Sequence, residues 1–111
     1  MRDRSLFEEI RSQWDRWSKI PFPAGASDME ANGHDLVSID TSSAGCIDTF
    51  VANRGKLDRE RIDVLRSCVA DLKSRVGELT GDVRTYFADL LNISLMVLTA
   101  TDSNDGNRMK E

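Results

Sequence analysis

No lysine or arginine occurs between Ile20 and Asn53, although the chain carries 15 of them in 111 residues. Cysteine and proline occur twice each, histidine once, and aromatic residues make up only 6% of the chain. Each scarcity excludes something. Two cysteines at unpaired spacing give neither a disulfide framework nor, with one histidine, a zinc site. No glycine-rich stretch followed by Lys and Ser/Thr is available to cradle a phosphate. The longest apolar run, 90–100, is interrupted by Asn92, Ser94 and Thr99 and is too short to span a bilayer, so no membrane segment is expected. The first residues, MRDRSLFEEIRSQWDRW, are charged throughout and lack the apolar region of a signal peptide, which predicts a cytoplasmic protein.

Net charge is −4 and the isoelectric point near 5.0. Phosphate binding depends on neutralisation by Lys and Arg, so nucleic acid is an unfavoured partner. The length corresponds to one domain with one core. A chain this small has little surface left for a deep pocket of its own, which favours binding over catalysis.

What is present is helical periodicity. Ser5, with Glu8 three residues on, forms a capping box that starts a helix at Leu6. Phe7, Ile10, Trp14 and Trp17 advance by three, four and three residues, placing all four on one aromatic stripe. Pro21 and Pro23 stop that helix near Lys19. From Pro21 to Asp35 the residues are loop formers without apolar period. Ala44, Ile47, Phe50 and Val51 then predict a second helix over 41–53, closed by Gly55, with "DLVSID" before it either extended or an early helical turn. Ile62, Leu65, Val69, Leu72, Val76 and Leu79 form a heptad seam on a third helix capped by Asp58, with Arg59–Asp63 and Asp71–Arg75 as exposed pairs. A fourth helix, 82–100, is apolar on nearly every side in its later turns.

The fold predicted is all-α: an antiparallel hairpin of helices 3 and 4 covered by helix 2, with a tethered N-terminal helix 1. Residues 1–20 form the aromatic helix, 21–39 a flexible acidic linker, 40–100 the helical core and 101–111 a disordered tail.

Three motifs compete for a chemical role. Asp28, Glu30, Asn32 and Gly33 match the opening of a calcium loop, but the twelfth place is Ile39 and the eighth is Asp35, which predicts a solvated linker instead. Cys46 near a helix start, with His34 upstream, suggests a thiol nucleophile. The acidic surroundings, free of cations, would raise that thiol's pKa, so a small-residue contact between Ala44-Gly45-Cys46 and Cys68 is the better reading. Thr80-Gly81 with Arg84, Thr85 and Asp89 could form a helix-turn-helix, a reading that the overall acidity opposes. No catalytic residue, metal or cofactor is expected.

The expectation is therefore a non-catalytic module that binds another protein, or a second copy of itself, through Phe7, Ile10, Trp14 and Trp17. It would serve as an accessory, regulatory or antitoxin-like subunit. A small Cys46/His34 enzyme and a DNA-binding regulator stand as alternatives.

Overall fold

A computed structural model describes the backbone of residues 5–110 and the side chains of residues 5–102. Helix α1, Leu6–Trp17, begins where Ser5 caps it, its hydroxyl accepting the Glu8 amide at 3.1 Å. Its seam turns inward: Ile10 is 0% and Trp17 5% exposed, while Phe7 and Trp14 are half-buried. The segment after it is folded. A turn of 3-10 helix at Ala24–Ala26 leads into a two-stranded hairpin, β1 (Glu30–Ala31) and β2 (His34–Asp35), in antiparallel register Ala31 opposite His34. Asn32 (φ 54°) and Gly33 (φ 81°) are its two turn residues, and positive φ at both is what a two-residue hairpin turn requires.

Helix α2 spans Leu36–Ala52 and so begins five residues before the predicted Thr41. "LVSID" is helical because Leu36, Ile39, Ser43, Cys46, Ile47 and Phe50 share the buried face, and the polar Ser43 had hidden that period. The chain reverses through Arg54 (φ 57°) and Gly55 (φ 95°), with the Gly55 amide donating to the Phe50 carbonyl at 2.8 Å. Helix α3, Arg59–Arg75, is capped by Asp58 and buries Ile62, Leu65, Val69 and Leu72 of the predicted seam; half-buried Val76 and buried Leu79 lie beyond its end. A 3-10 turn over Val76–Glu78 joins it to α4, Gly81–Lys110.

That last helix passes the expected end at Ala100 and takes in most of the segment read as a disordered tail. Thr101 is buried and Asp102 meets Arg66 of α3 at 2.7 Å, so tertiary contacts carry the helix past Ala100. Position 111 lies outside the described residues.

Side-chain contacts fix the directions of the helices. Trp17 bonds the Tyr86 carbonyl and Gln13 meets Asn92, so α1 runs antiparallel to α4. His34, just before α2, reaches Asp71 of α3, while Cys46 farther along α2 reaches Arg61, so α2 and α3 are antiparallel. The Arg66–Asp102 bond and the short turn after α3 make α3 and α4 antiparallel too. The result is an up-down-up-down four-helix bundle, with α4 touching each of the other three helices. The hairpin of helices 3 and 4 covered by helix 2 is as the sequence predicts. Helix 1 is a full member of the bundle, and the stretch beside it is no loose tether.

The flexible-linker reading of 21–39 is corrected by burial. Ala26, Ala31, Leu36 and Ile39 are all buried, and Phe22 sets its ring edge-on against Tyr86 and Phe87, with centroids 5.8 and 5.9 Å apart. These contacts recur at no fixed interval because the segment is mostly irregular, so neither helical nor strand periodicity could reveal them. We refer to residues 18–35 as the strap.

Candidate functional site

The strap crosses the end of the bundle where α3 passes into α4, and most of the unusual chemistry gathers there. Trp17 stacks on Trp14 (centroids 5.5 Å) and lies tilted against Tyr86 (4.7 Å), and its indole N–H donates to the Tyr86 carbonyl at 3.1 Å. Tyr86 in turn donates its hydroxyl to Asp40 Oδ1 at 2.7 Å, so one tyrosine ties α1, α2 and α4 together. Burial raises the Asp40 carboxyl above its ordinary value despite that hydrogen bond, and burial followed by the Asp40 contact pushes the Tyr86 hydroxyl well up.

A raised carboxyl pKa in the fold means that the folded state binds the proton more tightly than the unfolded chain does. The Asp40 contribution to stability is therefore complete below the ordinary carboxylate value of about 4 and is lost as pH rises through the higher folded value. Asp40→Asn keeps an acceptor for Tyr86 and removes the charge. Its melting temperature should equal or exceed wild type at neutral pH, and the difference should shrink or reverse as pH falls toward about 4. Thermal melts across that range check it; a variant less stable at neutral pH than in acid, relative to wild type, would contradict the assignment.

At the other side of the strap, Asp71 is the receptor for the hairpin. His34 Nδ1 lies 3.0 Å from its Oδ2 and Asn32 donates to its Oδ1 at 3.1 Å. The Asp71 side chain is 12% exposed and that of His34 66%, so the carboxylate is the buried partner and the imidazole lies at the rim. The predicted exposed pair Asp71–Arg75 is thereby replaced: Arg75 turns to Glu78 at 2.9 Å, and Asp63 lies beside Arg66 rather than Arg59. The only sequence signal for this lock was Asn32-Gly33, a strong hairpin dipeptide whose flanking strands are too short to show alternation.

The remaining sequence candidates separate. Cys46 Sγ lies 3.5 Å from the Arg61 carbonyl and His34 lies at Asp71, ten residues farther along α3, a rise of about 15 Å. The structure does not bring this thiol and imidazole together. Burial raises both thiols, with Cys68 adding to the effect on Cys46 and Asp71 to that on Cys68. Cys46 and Cys68 do face each other's helix, as read from sequence, but Gly45 points to open space; Ser43 and Cys46 are the small buried residues. Among the described residues no group of three or more metal-ligating side chains converges, and Glu30 and Asn32 are taken up in the hairpin. Helices α3 and α4 stay side by side from their turn to Arg66–Asp102, whereas a helix-turn-helix needs them to diverge at a wide angle.

Of the predicted docking residues, Ile10 and Trp17 are sealed inside the bundle because they supply the contact between α1 and α4. Phe7 packs on Phe50 at 6.0 Å, and Trp14 keeps a partly open ring face. Ile20, an apolar side chain 45% exposed, lines with Phe22, Val83 and Tyr86 a hollow of about 570 Å³ between strap and α4. Among the described residues no helix is long and apolar enough to cross a membrane. Comparison with family models, with curated proteins and with solved structures finds no match for this chain.

Proposed function

We propose that this chain is a small non-catalytic protein-binding module whose contact surface is the strap end of the bundle. The observation that carries the reading is the hollow with Ile20 on its rim, set on a scaffold braced by the Trp14–Trp17–Tyr86 stack. An exposed aliphatic residue beside aromatic side chains held in one geometry meets the needs of an interface anchor, because little side-chain entropy remains to be lost on binding. Trp17 supports this surface through its contact with Tyr86, which lines the hollow.

A photo-crosslinking amino acid at position 20, with the same group at exposed Glu60 on α3 as control, tests the reading in lysate of the source cells. One heterologous adduct specific to position 20 is expected. The protein so identified, once purified, should bind the chain and lose at least about tenfold in affinity to Ile20→Asp. No adduct, or equal adducts at both positions, would overturn it.

A further inference from the structure

We propose that Asn32-Gly33 is a site of spontaneous deamidation, and that the product unlatches the strap hairpin from α3. The sequence contains one Asn-Gly pair, and it forms the turn between β1 and β2, with both residues exposed. In the reaction the Gly33 amide nitrogen attacks Asn32 Cγ. The new N–Cγ bond closes a succinimide, the Cγ–Nδ2 bond breaks, and ammonia leaves with the proton of the Gly33 amide. Water then opens the ring at Cγ to give aspartate, or at the Asn32 main-chain carbonyl carbon to give isoaspartate; nothing is oxidised or reduced. Glycine favours the attack because no Cβ hinders its nitrogen.

The folded hairpin restrains this chemistry. Asn32 Nδ2, the group that must leave, donates to Asp71 Oδ1 at 3.1 Å, so the carboxamide is pinned against α3 and turns toward the Gly33 nitrogen only when that bond opens. Solvent reaches the turn, because both of its residues border a second hollow, of about 500 Å³, between the hairpin and the end of α3. The rate is therefore set by local opening of the hairpin rather than by global unfolding.

The product cannot close the lock again. Asn32 supplies one of the two contacts that hold the hairpin to Asp71, the other being His34 Nδ1 at 3.0 Å. Deamidation replaces the Asn32 donor by a carboxylate, which is repelled by Asp71 where the amide was held, and it leaves Asp71 Oδ1 without that donor. Neighbouring groups add to the repulsion: Asp28, Glu30 and Glu78 line the same hollow, where Arg75 is already bonded to Glu78. Isoaspartate has a further effect, since its extra main-chain carbon destroys the two-residue turn that sets Ala31 opposite His34. Neither product reverts to the amide, so the hairpin, once released, stays released.

Incubation of the full chain in mildly alkaline buffer, followed by peptide mass spectrometry that separates aspartate from isoaspartate, tests this. Asn32 should convert ahead of Asn53 and Asn92, and at least about fivefold faster in Asp71→Ala than in wild type. Gly33→Asn puts a residue tolerant of positive φ where an added Cβ meets nothing, and it should slow conversion at position 32. Asn32→Asp mimics the aspartate product. Its amide exchange should accelerate in the hairpin and at Leu36 while the middle of α4 stays protected, and adding Asp71→Asn, which exchanges donor and acceptor, should restore protection. Asn32→Gly, lacking the amide but adding no charge, should accelerate exchange less than Asn32→Asp. Equal conversion in wild type and Asp71→Ala, no conversion at Asn32 in either, or unchanged hairpin exchange in Asn32→Asp would each overturn the inference.

Discussion

Trp17→Ala is expected to lower the unfolding free energy by about 3–5 kcal/mol, the cost of removing a large aromatic side chain from a core. The residue is 5% exposed, packs against two rings and donates its N–H to the Tyr86 carbonyl. Small domains have only about 5–15 kcal/mol in total, so the variant should melt far below wild type or fail to fold at ambient temperature. Trp14→Ala, at a half-buried position with one stacking partner, should cost only about 1–2 kcal/mol. Trp17→Phe separates shape from hydrogen bonding: it keeps most of the volume, loses the donor and should fall between the two. Urea denaturation of the three variants gives the order. If Trp17→Ala proved as mild as Trp14→Ala, α1 would not be an integral helix of the bundle, and the aromatic stripe would return as a free docking face.

Asp71→Ala should cost less globally, about 1–2 kcal/mol, yet change the strap more. The carboxylate accepts from both Asn32 and His34, and those two donors lie at a solvent-accessible rim where water can replace it. Full desolvation of the orphaned donors is thus avoided, and removal of a nearly buried charge offsets part of the loss. What is lost is the anchorage of the hairpin on α3. Amide exchange should accelerate in the hairpin and at Leu36, whose amide donates to the Met29 carbonyl at 2.9 Å, while amides in the middle of α4 stay protected. Asp71→Asn, which retains one acceptor, should lie between wild type and Asp71→Ala. Uniform acceleration across all helices would show that Asp71 acts on the whole core, and no change at all would show that the hairpin holds without it.

These effects share an origin in the strap, the region least legible in the sequence. The heptad seam of α3 could be read directly, since Ile62, Leu65, Val69 and Leu72 repeat at fixed spacing and are all buried. The start of α1 was equally plain, because Ser5 and Glu8 act within one turn and need no distant partner. Helix α2 was half-legible: its buried face runs from Leu36 to Phe50, but Ser43 broke the apolar pattern in the middle. Phe22, Ala26, Met29 and Ala31 gave no period, because periodicity reports regular elements and the strap is largely irregular. The Asp71 lock joins positions 37 and 39 residues apart, and no local rule selects a partner at that distance.

The sequence by itself determined the class of the fold. Apolar residues at helical spacing, capped by Ser5 and Asp58 and punctuated by proline and glycine, leave few arrangements other than a small bundle with α4 at its centre. It also determined that the strap carries no Lys or Arg after Lys19, since composition does not depend on folding. Only the tertiary structure decided that the aromatic stripe of α1 closes on its own core, that Cys46 and His34 lie apart, and that the strap is packed into walls around two hollows. The physical reason is the same in each case. A side chain's periodicity says which way it faces, whereas the surface it finally covers depends on elements that the chain brings back from far along its length.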